Sequence, residues 1–226
     1  REVKNMKKEL KSQTPTVCLP QIGAAAPNFT ATTTFGKKSL TDYRGKWLVF
    51  FSHPGDFTPV CTTEFIAFAE SYKAFKQRNT ELLGLSIDSN PSHLAWVYNI
   101  QKNTGIEIPF PIIADRDGQI ARLYGMISPS ESSTATVRAV FIIDPEGIMR
   151  AILYYPLSVG RYIPEILRII EALQVVDREN VVTPANWQPG DPVVVKPPTT
   201  YPELLKRVND SSALDCIDWY LCFRDL

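Results

Sequence analysis

Apolar positions change period along the chain, and each change predicts an element boundary. Trp47-Leu48-Val49-Phe50-Phe51 is an unbroken apolar run, the pattern of a strand covered on both faces. From Phe65 to Gln77 the spacing becomes helical, with Phe65, Phe68, Tyr72 and Phe75 on one stripe. Leu82–Ile87 predicts the next buried strand, and Asn90-Pro91 reads as an N-cap with proline in the first helical position, stopped at Gly105. Pro111–Ala114 predicts a short strand. The runs 138–143 and 150–155 flank Asp144-Pro145-Glu146-Gly147, a turn sequence that joins them as a hairpin. A helix over Pro164–Val175 follows.

This succession predicts an α/β fold: a sandwich with a mixed, partly parallel central sheet flanked by helices. Residues 1–20 are polar and read as a flexible lead-in, 21–177 as the main domain, and 178–226 as a separate arm. Within the arm, proline is frequent from Pro184 to Pro202, Val193–Val195 predicts a short strand, and a helix over Pro202–Val208 leads to an aromatic tail. Too little of this stretch is apolar for it to fold alone, so it must pack on its own core or on a second subunit.

Composition narrows the function. The chain has 226 residues, 44% of them hydrophobic, ample for one sizeable core with a small unit beside it. Lysine plus arginine balance aspartate plus glutamate at 24 each, which argues against nucleic acid or an anionic membrane as partner. The lysines at 4, 7, 8 and 11 read as a solvated tail. No apolar run approaches the roughly 18 residues of a membrane span, and the N-terminus lacks a secretory h-region, so a cytoplasmic protein is expected. Four cysteines (Cys18, Cys61, Cys216, Cys222) are too few for a disulfide scaffold, and two histidines (His53, His93) offer little for zinc.

The chemistry concentrates in His53-Pro54-Gly55-Asp56-Phe57-Thr58-Pro59-Val60-Cys61-Thr62-Thr63-Glu64, between a buried strand and an amphipathic helix. The carboxyl end of such a strand is where open α/β sheets hold their ligands. Thr58 suits an N-cap and Pro59 the N1 position, which puts Cys61 at N3 in the first turn. There the unpaired N–H groups and the positive end of the helix dipole favour thiolate over thiol, the form that attacks an O–O bond. A cysteine near a helix start can also be a mere packing residue; threonine and proline ahead of it favour chemistry.

Pro54, Thr58 and Cys61 match the P-x-x-x-T-x-x-C motif of peroxiredoxins, and the chain resembles that family from about residue 17 to 226. The resemblance implies a thioredoxin-like fold and a thiol-dependent peroxidase without metal or organic cofactor, acting on hydrogen peroxide or small alkyl hydroperoxides. Thr-Pro-Val-Cys also resembles the thioredoxin C-x-x-C loop with its first cysteine replaced, so a disulfide reductase is a poor alternative; a redox-sensing protein is another. The family implies an arginine at the sulfur, a part that Arg138 fits at the head of an apolar strand. Thr58 would hydrogen-bond the peroxide and Pro54 would shield the pocket. Glu64 and Arg161 match secondary family positions and equally suit a first-turn carboxylate and a helix-flanking cation. His53 is a candidate pocket wall or hydrogen-bond partner, and His93 a surface residue of its helix.

Thr183-Pro184-Ala185-Asn186-Trp187 and Pro189-Gly190-Asp191-Pro192 resemble the arm of the one-Cys subgroup, which implies a homodimer with exchanged arms, or five such dimers in a ring. The lipase-type serine of animal members is absent from Ile22–Pro27, so no phospholipase activity is carried over. Cys216 and Cys222 resemble the extra tail cysteines of archaeal and some bacterial members. That likeness implies a resolving role, Cys222 before Cys216, against the partner's oxidised Cys61, with a thioredoxin-like reductant recycling the enzyme. A local Cys216–Cys222 disulfide is possible but closes a short loop, and simple burial beside Trp219 and Tyr220 is the plainest alternative. Cys18 has no assigned part.

Overall fold

The structure is a computed structural model and describes residues 19–210 and 212–226. The chain runs β1 (Thr30–Thr33), β2 (Gly36–Ser39), a 3-10 turn (Leu40–Tyr43), β3 (Trp47–Ser52), α1 (Pro59–Glu70), α2 (Tyr72–Gln77), β4 (Thr80–Ser86) and α3 (Asn90–Thr104). It continues with β5 (Ile112–Ala114), α4 (Gln119–Leu123), β6 (Arg138–Ile143), β7 (Met149–Tyr155) and α5 (Ile163–Glu179). The arm holds β8 (Val193–Val195), α6 (Tyr201–Asn209), β9 (Asp215–Asp218) and β10 (Leu221–Arg224).

Seven strands form one sheet in the order β2-β1-β5-β4-β3-β6-β7. The centre, β3-β4-β5, is parallel, while β6 and β7 on one side and β1 and β2 on the other pair antiparallel. The expected mixed sheet is therefore present. Side-chain alternation explains the apolar runs: on β3, Trp47, Val49 and Phe51 face one core with Phe65, Phe68 and Trp96, while Leu48 and Phe50 face a second with Phe29, Tyr124 and Phe141. Both faces are covered, so neither parity can be polar. Gly84 permits this packing on β4, because a Cβ there would stand 3.3 Å from the Phe65 ring.

Several elements differ from the sequence reading. The helix expected over 65–77 is two, because Ser71 closes α1 and opens α2. The cap of α3 is Ser89, whose hydroxyl accepts from the Ser92 N–H; Asn90 and Pro91 are already helical. The β1–β2 hairpin and the β9–β10 hairpin have mostly polar or exposed residues and no apolar alternation to announce them. In the arm, Trp187, Val181 and Val193 bury against Ala172 and Val175 of α5, and β8-β10-β9 form a separate small sheet. No helix among the described residues is long and apolar enough to cross a membrane.

Candidate active site

The parallel pair β3–β4 ends beside the loop 53–58, and the loop feeds directly into α1. Thr58 has the extended backbone of an N-cap and Pro59 stands at N1, so Cys61 occupies the third helical position. Its sulfur is fully buried. Thr58 does not cap with its side chain: its hydroxyl donates to the Gly55 carbonyl at 2.8 Å, and the oxygen keeps its lone pairs for another donor. Just before it, Phe57 has φ +55, a left-handed backbone that a bulky residue enters at a cost on the order of 1 kcal/mol.

Arg138 opens β6 and is 3% exposed, so the sequence alternative of a solvent-facing strand end does not hold. The β3–β6 pairing sets Phe51 against Val140, which carries Arg138 past the end of β3 toward α1. One guanidinium nitrogen donates to the Cys61 sulfur at 3.3 Å and to Glu64 Oε2 at 2.8 Å. The far side is held by the Leu157 carbonyl, at 3.1 and 2.7 Å. Glu64 also receives Arg161, from its backbone N–H and Nε at 2.9 Å each and from Nη2 at 2.6 Å. Arg161 is fixed further by the Ser52 and Ala139 carbonyls and stacks over Phe51 and Phe68. Glu64 and Arg161 thus pair with each other beside Arg138 and Cys61, while Glu64 also lies near the start of α1 and Arg161 just ahead of α5.

Burial would raise the Glu64 carboxyl pKa, but the Arg161 charge and hydrogen bonds, with Arg138 behind them, hold it below the usual carboxylate range. Two guanidiniums share one carboxylate, so the cluster keeps one positive charge over. A thiolate at Cys61 would complete its neutrality.

His53, fully buried, stacks on Trp96 and meets Phe65 edge-on, one helical turn beyond Cys61. Its Nε2 is 3.1 Å from Asp56, while Nδ1 has no hydrogen-bond partner. Burial pushes the imidazolium pKa down, partly offset by Asp56, so neutral imidazole is favoured. His93 corrects the sequence reading: far from lying on the surface, it is 0% exposed, on the α3 face shared by Trp96 and Ile100. That spacing is the signal that could have found it. Its ring bridges Asp56, at 2.9 Å, and the Ile113 carbonyl, at 3.1 Å. Burial raises the Asp56 carboxyl pKa, but hydrogen bonds from His53 and His93 outweigh it and hold it well below the usual range. Ligand atoms of His53, Asp56 and His93 lie within 4.8 Å of one another, the one such group among the described residues; they already satisfy each other by hydrogen bonds.

Pro54 is half-buried beside His53. Cys216 and Cys222 stand apart from this cluster, facing each other across β9 and β10 and joined by a disulfide over a separation of six residues. The local pairing that loop length disfavours forms because the hairpin register brings the two Cα atoms to 4.0 Å. Cys18 lies outside the described residues.

A buried cysteine at a helix start, held by an arginine on a mixed sheet of this order, defines a thiol-based oxidoreductase. The comparisons name which one. Residues 22–152 match the AhpC/TSA family and residues 172–211 the C-terminal domain of 1-Cys peroxiredoxin. A peroxiredoxin 2 of Caldanaerobacter subterraneus subsp. tengcongensis is 64% identical over 219 residues, covering 97% of this chain and 99% of that protein. The structure of a yeast mitochondrial 1-Cys peroxiredoxin, solved to explain thiol resolution via glutathione/thioredoxin systems, superposes with TM-score 0.82 at 42% identity. It covers 92% of this chain and 100% of that one. A mutant of the peroxiredoxin 6 of Arenicola marina follows at TM-score 0.80 and 36% identity, over 91% and 97% of the two chains. The chain belongs to the peroxiredoxin family, with the thioredoxin-like fold and thiol peroxidase activity that this entails.

Proposed function

We propose that Cys61 is the peroxidatic nucleophile, with Thr58, Pro54 and Arg138 forming its peroxide pocket. The observation that carries this is the Arg138 nitrogen 3.3 Å from a buried first-turn sulfur, in a cluster one negative charge short of neutral. The Cys61 thiolate attacks the terminal oxygen of hydrogen peroxide or a small organic hydroperoxide. The O–O bond breaks, water or alcohol leaves with a proton, and sulfur, two electrons oxidised, becomes a sulfenic acid. Arg138 stabilises the thiolate and donates to a peroxide oxygen. Thr58 Oγ1, already donating to Gly55, accepts from the peroxide O–H. Pro54 excludes water from the pocket mouth, and His53, Glu64 and Arg161 orient the parts that touch the reacting atoms.

A tail thiol, Cys222 first and Cys216 second, then condenses with the partner subunit's sulfenic acid, releasing water and forming a disulfide. The second tail thiol can displace Cys61 and leave the Cys216–Cys222 disulfide, the pairing found in the hairpin. A thioredoxin-like dithiol in the cytosol reduces it and restores the cycle. The segment 178–226 serves as the dimerisation arm on a 21–177 peroxidase domain, in a homodimer or a ring of five.

Replacing Cys61 by serine should abolish peroxide turnover; full activity would sink the proposal. Many turnovers per site exclude a mere sensor. Non-reducing mass spectrometry after one equivalent of peroxide tests the tail: an interchain Cys61–Cys222 or Cys61–Cys216 link supports it, and a persisting sulfenic acid overturns it.

A further inference from the structure

A disulfide at Cys61 requires an incoming Cα within about 4.4–6.8 Å of its own. The sulfur is 0% exposed beneath the first turn of α1, so that turn must open before any thiol can reach it. Arg138 and Arg161 hold Cys61 and Glu64 on the far side of that turn, and the loop ahead of it has its own tie. Among the described residues, every hydrogen bond from the segment 54–60 to another element runs through Asp56. Its backbone N–H donates to Asp88 Oδ2 at 2.9 Å, itself bound by the Ser86 hydroxyl at 2.7 Å. Its carboxylate takes His53 at 3.1 Å and His93 at 2.9 Å. The remaining bonds of the segment, Thr58 to Gly55 and the Thr62 and Thr63 hydroxyls to the helix backbone, are local; just beyond it, the Thr62 hydroxyl also accepts from Trp96 Nε1 of α3 at 3.2 Å.

His93 makes this a strong tie. The Ile113 carbonyl can only accept, so His93 Nε2 donates to it. Nδ1 faces both oxygens of Asp56, at 2.9 Å each. The ring is clamped between α3 and β5 and tied to the loop in a site where the two side chains are 0% and 2% exposed. Neutral His53, the Asp88 carboxylate and the Asp56 carboxylate itself are the other titratable groups that meet there.

We propose that the His93–Asp56 pair is a latch on the peroxidatic loop, whose strength sets how often the first turn of α1 opens to admit a resolving thiol. Both are positioning residues; neither touches the sulfur. A firm latch favours the closed pocket that reacts with peroxide, and a weak one favours disulfide formation from the sulfenic acid. This rests on the reading of Cys61 as a sulfenic acid resolved by another thiol.

The test compares the full-length protein with D56N and H93F. D56N can keep a hydrogen bond to each histidine through its amide and loses only the carboxylate charge; H93F keeps a ring and removes both nitrogens. Amide exchange of the peptide 54–64 should accelerate about tenfold in H93F, the loss of one charge-assisted bond, and by less in D56N. Exchange of β3 and β4 should stay unchanged. After one equivalent of peroxide the sulfenic-to-disulfide step should accelerate in the same order, while sulfenic acid formation does not. Plain destabilisation would slow both steps and speed exchange throughout the sheet. Wild-type exchange at 54–64 in folded D56N and H93F overturns the latch, as does acceleration shared with β3 and β4. Should H93F not fold, D56N decides alone. A sulfenic acid that never becomes a disulfide, with the exchange order intact, would instead refute the resolving step and leave the latch standing.

Discussion

Replacing Glu64 by glutamine should destabilise the protein severely, because one carboxylate carries two buried arginines. It accepts four hydrogen bonds, three from Arg161 and one from Arg138, and its side chain is 2% exposed. Glutamine can keep the two bonds at Oε1. In place of Oε2 it presents an amide N–H₂ to Arg161 Nη2 and Arg138 Nη1, so donors face donors. It also removes the one carboxylate that the two guanidiniums share. Removing one partner of a buried pair costs roughly 3–5 kcal/mol. Against a total stability of about 5–15 kcal/mol this is a large fraction, and for a chain of this size it lowers Tm by roughly 6–20 °C. Urea unfolding followed by tryptophan fluorescence and circular dichroism measures it. The double variant with Arg138→Met should recover about 1–3 kcal/mol, since it removes one of the two orphaned cations. A loss below about 1 kcal/mol for Glu64→Gln, or no coupling to Arg138, would show that the cluster does not bear on stability as argued.

Acid should weaken the fold in two windows. His53 resists protonation when folded, so below the ordinary histidine value of about 6.5 the unfolded chain binds a proton the native one refuses, and stability falls. Glu64 and Asp56 are held below the usual range, so their contribution is full above about pH 4.5 and is lost as pH drops through their native values. Urea midpoints across pH should show His53→Gln flattening the upper window and Glu64→Gln reducing the lower. Thr58→Val should slow peroxide consumption about 10²-fold while Thr58→Ser retains most of it, because the hydroxyl and not the methyl meets the substrate. Trp187→Ala removes the 1%-exposed centre of the arm's contact with α5 at about 3–5 kcal/mol. Limited proteolysis should then cut near 181–210 while the far-UV spectrum of the core persists; an arm equally resistant to protease would refute that role.

What the sequence determined alone was whatever depends on neighbours a few positions apart. The unbroken apolar runs on β3 and β6 mark strands covered on both faces, and Thr58 and Pro59 place Cys61 at N3 through positional preferences that act within one turn. Arg138 was legible only because a charge at the head of an apolar strand is anomalous and the family motif expects one. The partners that make these residues a site were not legible. Glu64 meets Arg161 across 97 positions, Cys61 meets Arg138 across 77, and His93 reaches Asp56 across 37. Strand order brings those groups together, and no local propensity encodes it. His93 shows the limit most clearly: as one polar letter on a helix it reads as solvated, and only α3 packing over β5 buries it against Asp56 and the Ile113 carbonyl. The tail behaves likewise, since a six-residue separation argues against a Cys216–Cys222 bond until the β9–β10 register sets the two residues opposite each other. Short-range sterics and capping are written in adjacent residues; pairing of buried charges depends on which strands become neighbours, and that is decided only when the whole sheet forms.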